Sequence, residues 1–139
     1  MIEYNSLIGN LYLYTNLALF GLIWTVQIVH YPSFRYIDKK RYFEFQEFHM
    51  KRISYVVMPL MLIELLSGSI LLMHNLDDLY FILSFVCLVI IWAWTFFVNV
   101  PIHSKLMKSY EAKQLDKLIL SNWPRTILWT VKLFLINRA

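Results

Sequence analysis

Three of the four histidines in this 139-residue chain stand at the ends of long apolar runs. His30 ends the first run, His103 follows the third, and His49 lies one turn before the second. If the runs are helices of alternating direction, these three imidazoles converge at one end, and His74 lies at the other. Imidazole is the commonest transition-metal ligand and holds haem iron axially, so His30, His49 and His103 form a candidate metal or haem site. Gln27, three residues before His30, and Asn99, four before His103, share helix faces with them and are placed to fix their tautomers. Arg52, Asn122 and Arg125 fall at the same level, as candidate contacts for an anionic group of a cofactor or substrate. A plainer reading competes: histidine, aromatic residues and arginine also populate headgroup regions with no ligand at all. No HxxxH or ExxH pair lies on any single run, so the signal is convergence, not motif.

A second constellation lies deeper. Glu64 is eleven residues past Ile53, about 16 Å along a helix, and Lys132 is nine past Trp123, at a comparable depth. Together they would cancel two costly buried charges. The alternative is a snorkelling Lys132 and a protonated Glu64. Pro59, one turn before Glu64, frees the carbonyl of Tyr55 and predicts a kink. Ser67, Gly68 and Ser69 are small enough to let another helix, or a second copy of the chain, approach closely.

The elements that position these groups follow from composition. The chain is 59% hydrophobic and only 16% charged, against roughly 45–50% and 25% for a soluble domain. It has too little polar surface to cover itself in water. The net charge of +4 sits in blocks beside apolar runs, which speaks for membrane topology and against nucleic acid. One cysteine, Cys87, excludes a disulfide framework and any CxxC motif.

The expected fold is therefore all-α: an integral membrane antiparallel four-helix bundle in a single domain. Spans are predicted at about 7–29, 53–73, 79–100 and 123–136. The last is short, about 14 residues or 21 Å. Asp38 can cap a second helix that begins near Lys39 and stands partly in the cytoplasm, so 39–52 continues into the 53–73 span. Residues 105–120 predict a separate amphipathic helix at the interface. Eleven of the thirteen Lys and Arg residues fall in 30–52 and 102–125, and none in 74–78. The positive-inside rule then places those segments in the cytoplasm and both termini outside, in a multi-pass protein of the plasma (inner) membrane. The start of the chain lacks the basic region and small-residue cleavage site of a signal peptide.

One stretch carries a resemblance. Val98-Asn99-Val100-Pro101-Ile102-His103, a basic linker, and then Asn122-Trp123-Pro124-Arg125-Thr126-Ile127-Leu128-Trp129-Thr130 resemble small four-helix membrane proteins of the anthrone-oxygenase-like type. The resemblance covers mainly the second half of the chain. It implies a four-span bundle with a short final helix, and oxidation of an aromatic or quinone-like compound. It carries over no catalytic residue.

The leading functional expectation is a membrane-embedded oxidoreductase or oxygenase-like protein. In it His30, His49 and His103 hold a metal or haem, and aromatic side chains seat a lipophilic small molecule. The alternatives are a small non-enzymatic transporter using Glu64 and Pro59, a lipid-binding subunit, and a structural bundle that forms homodimers through Gly68.

Overall fold

The computed structural model describes residues 7–138. Four long helices run α1 (Leu7–Tyr36), α2 (Lys39–His74), α3 (Leu79–Lys108) and α4 (Ala112–Ile136), and no strand occurs among the described residues. The first three are long and apolar enough to cross a membrane. α4, at 25 residues, is long enough but more polar, with Arg125 and Lys132 in its apolar half.

Capping sets the turns. Asp38 Oδ1 accepts from the Lys40 N–H at 2.9 Å, opening α2 through a 3₁₀ turn over Lys39–Arg41. Asp78 Oδ1 accepts from the Phe81 N–H at 3.1 Å and starts α3. Each carboxylate satisfies a backbone donor that has no partner within its helix.

Several boundaries differ from the expected ones. α1 and α3 do not stop near 29 and 100. Each passes through one wide π-turn, Val26–His30 in α1 and Thr95–Asn99 in α3, and then continues. Both π-turns end two residues before a proline, Pro32 and Pro101, whose missing N–H loosens the ladder there. The expected interfacial helix over 105–120 is not one element. Its first residues complete α3, and after the break at 109–111 the rest belongs to α4. The fourth helix is thus long, not the short span over 123–136, because Pro124 is absorbed within it. The carbonyls near this proline find other donors: Trp94 Nε1–H reaches Ser121 O at 2.7 Å, and Gln27 Nε2–H reaches Ile119 O at 3.1 Å. α2 likewise continues unbroken through Pro59.

α1 packs against α2 and α4, and α3 packs chiefly on α4. Paired contacts run in opposite directions, His30 with His49 and Tyr12 with Gly68 between α1 and α2, so these neighbours are antiparallel. Large apolar side chains also face outward on all four helices, among them Leu66, Phe97 and Phe134, 64%, 81% and 71% exposed. Such a surface is unstable in water and matches a lipid environment.

The interior is layered. Tyr12, Leu71, Phe81 and Ile136 fill the end near the α2–α3 turn. Leu19, Ile23, Met61, Ile91 and Trp129 fill the middle. Tyr31, Phe34, Tyr42, Leu106, Leu115 and Leu118 are prominent at the end that carries the basic segments. Two polar layers separate these three.

Candidate functional site

The first polar layer holds Glu64 and Lys132, both fully buried, with Nζ and Oε1 2.7 Å apart. Lys132 also donates to Asn16 Oδ1 and lies over the Tyr12 ring, 4.5 Å from its centroid. Trp129 Nε1–H donates to Glu64 Oε1 at 3.3 Å. Gly68 is buried against Tyr12, where an added Cβ would lie 2.8 Å from Cε2. The close approach that Gly68 permits is therefore made within the chain, α1 on α2, and not on a free face.

The second polar layer lies at the basic end. His30 Nε2 and His49 Nδ1 share one proton at 2.9 Å. His103 Nε2 meets the Tyr31 hydroxyl at 3.0 Å, and its Nδ1 meets Gln46 Nε2 at 2.8 Å. The His49 and His103 rings are 5.7 Å apart between centroids. The three imidazoles thus converge, but as two hydrogen-bonded units. Both nitrogens of His103 are engaged by protein groups, which leaves it no lone pair for a metal. Among the described residues no three His, Cys, Asp or Glu side chains are grouped to hold a metal ion. The donor set does not fit a three-imidazole centre.

The polar residues expected beside the histidines have other partners. Gln27 Oε1 accepts from Asn122 Nδ2 at 2.9 Å and from Thr126 Oγ1 at 3.4 Å, so its oxygen is turned to α4. Asn99 donates to Ser121 Oγ at 3.4 Å, and its Oδ1 is buried without a partner. Arg52 is exposed and lies over the Phe48 ring, 5.5 Å from the centroid, away from this layer. Asn122 and Arg125 do belong to it: Arg125 Nη1 donates to Asn122 Oδ1 at 3.2 Å, and the guanidinium lies over Trp129 at 5.2 Å.

The π-turn in α1 explains the exchange of partners. One extra residue in the turn rotates everything after it by about 100° relative to an α-helix. Tyr31 then points inward, level with the buried Gln27, and His30 swings out to a half-buried position. Tyr31 and Gln46, the actual partners of His103, are the residues that periodicity missed. Gln46 left one usable signal: it lies three residues before His49, on the same face of α2.

Beside this layer lies a cavity of about 110 Å³. Leu19, Ile23, Val57, Met61 and Trp129 form much of its apolar wall; Tyr31, Asn99, His103 and Arg125 form a polar end. Most of its part-exposed lining residues lie on α2 (Met50, Ile53, Ser54, Val57 and Met58) and α3 (Thr95 and Val100), with Leu22 on α1, so it opens chiefly along α2 and α3. Compared with protein families, with curated proteins and with solved structures, the chain matches none.

Proposed function

We propose that this chain is a multi-pass membrane protein whose bundle binds a lipophilic aromatic or quinone-like small molecule, with the polar end of the ligand at Tyr31, His103 and Arg125. The observation that carries this reading is the cavity itself, an apolar chamber with a few convergent polar groups. Its mouth faces the side of the bundle, so a compound dissolved in lipid enters without crossing water. About 110 Å³ is below the roughly 300–1,000 Å³ of pockets that enclose drug-sized ligands. A one-ring head suits it, with any fused second ring left at the mouth, and a haem does not fit.

The chemistry available there is proton exchange. The His103–Tyr31 pair can give a proton to, or take one from, an oxygen of the ligand. That suits the proton transfer within a step of the oxidoreductase or oxygenase type, the class that the sequence resemblance implies, with the electrons exchanged with a separate redox co-substrate. The basic end, with Arg35, Lys39, Lys40 and Lys105, is the cytoplasmic one in this reading.

A lipophilic naphthoquinone tests it. In nanodiscs it should quench tryptophan fluorescence saturably, because Trp129 lines the cavity. Val57→Phe, which fills the chamber, should abolish the saturable part, and Leu83→Phe on the outer face of α3 should not. Quenching that is linear in quinone and equal in both variants would refute the reading.

A further inference from the structure

Arg125 is only 6% exposed, and no carboxylate pairs with it among the described residues. The one buried acid among the described residues, Glu64, belongs to the other polar layer and is held by Lys132. What Arg125 has instead is the Asn122 amide oxygen, the Trp129 ring and the neighbouring Tyr31 hydroxyl. Its Nε is buried with no hydrogen-bond partner. An uncompensated buried cation is expensive. This one lies at the polar end of a cavity that has room for a ligand.

The neighbouring groups point the same way. With the Gln46 amide N–H turned to His103 Nδ1, Nδ1 accepts, and the ring proton sits on Nε2. That proton goes to the Tyr31 oxygen. The Tyr31 oxygen thus accepts from His103, and its own O–H proton is free for an acceptor in the cavity. His103 is held as the neutral donor that makes this possible. A guanidinium and a phenol O–H on one wall make a receptor for a negatively charged oxygen. The other orphan there, Asn99 Oδ1, is itself an acceptor and takes no part.

We infer that the cavity selects ligands with a singly charged oxyanion head, a carboxylate or a phenolate, neutralised by Arg125 and hydrogen-bonded by Tyr31. This rests on the cavity-binding reading above and adds the charge of its ligand. Arg125 is then a cation held at a cost to the empty protein and compensated when the anion enters.

Three two-ring probes test this in nanodiscs by tryptophan quenching: 2-naphthoate, its neutral methyl ester, and 2,4-dinitro-1-naphtholate. The parent should bind at least one of the two anions at least tenfold more tightly than the ester, and which anion wins identifies the head. Arg125→Met should lose that preference while binding the ester within about twofold of the parent. Without ligand, Arg125→Met and Arg125→Gln should melt at or above the parent temperature, because each removes an unpaired buried charge. Equal binding of ester and anions by the parent would overturn the inference and leave the cavity reading standing. Binding of none of the three would overturn both. Melting of both variants well below the parent, with anion preference retained, would make Arg125 a structural residue and overturn the inference.

Discussion

Removing Lys132 or Glu64 alone should harm the fold far more than removing both. The two are fully buried with Nζ and Oε1 at 2.7 Å. At an effective dielectric constant of about 20 their attraction is roughly 6 kcal/mol, offset by desolvation of several kcal/mol for each ion. The single changes are not equivalent. Lys132→Met leaves the Glu64 carboxylate with only the Trp129 N–H at 3.3 Å, and a buried charge stripped of its partner costs about 3–5 kcal/mol. Glu64→Gln keeps an amide oxygen for the ammonium, which also retains Asn16 and the Tyr12 face. Its cost should be nearer 2 kcal/mol, the worth of a charge-assisted hydrogen bond. The double variant carries no stranded charge and should lie within about 1 kcal/mol of the parent, a coupling of about 4 kcal/mol or more. Unfolding in mixed micelles of rising dodecyl sulfate fraction, followed by circular dichroism, measures all four corners of the cycle. Additivity of the two single effects to within about 0.5 kcal/mol would refute the argument.

Gly68→Ala should destabilise by about 1–3 kcal/mol, since the new methyl lies 2.8 Å from the Tyr12 ring. Gly21→Ala, with nothing within 4 Å of its added Cβ, should stabilise by about 0.4–1 kcal/mol, and thermal melts of the two check the sign. Trp94→Phe removes the indole donor from the Ser121 carbonyl beside Pro124 and should cost about 1–3 kcal/mol in the same assay. Cysteine reporters at 38–48 and 105–117 should label from the cytoplasm, and those at 75–78 from outside; cytoplasmic labelling at Asp77 would reverse the proposed orientation.

The helices were legible in the sequence because their signal is long and redundant. Runs of more than twenty uncharged, mostly apolar residues at 7–29 and 79–100, a polar turn at 74–78 and Asp38 before a three-to-four-residue stripe leave little choice of element. Depth counted in helix rise also brings Glu64 level with Lys132, and the two side chains meet. The detail of the histidine end was not legible, and the cause is local. Periodicity at 3.6 residues carries faces correctly only along an unbroken α-ladder, and both π-turns fall just before the residues in question. Gln27 therefore aligns with Tyr31 and reaches across to Asn122, and His30 pairs with His49 at the half-buried edge of the layer. Arg52 was misplaced for a different reason. Its spacing of three from His49 puts it beside the buried face of α2, and the Phe48 ring holds it on the outer side. The length of α4 was hidden by Pro124, a helix breaker in water. Here the helix runs on through it, with Trp94 and Gln27 donating to the Ser121 and Ile119 carbonyls on either side of the one that Pro124 frees.

The middle layer of Leu19, Ile23, Met61, Ile91 and Trp129 has an electrical consequence. It stands as a slab of hydrocarbon between the Arg125 end and the Glu64–Lys132 pair, and the side chain that reaches both is Trp129. An indole donates one hydrogen bond and accepts none, so no proton can hop through it. Each charged layer feels the other as a field, and Trp129 offers no proton path between them.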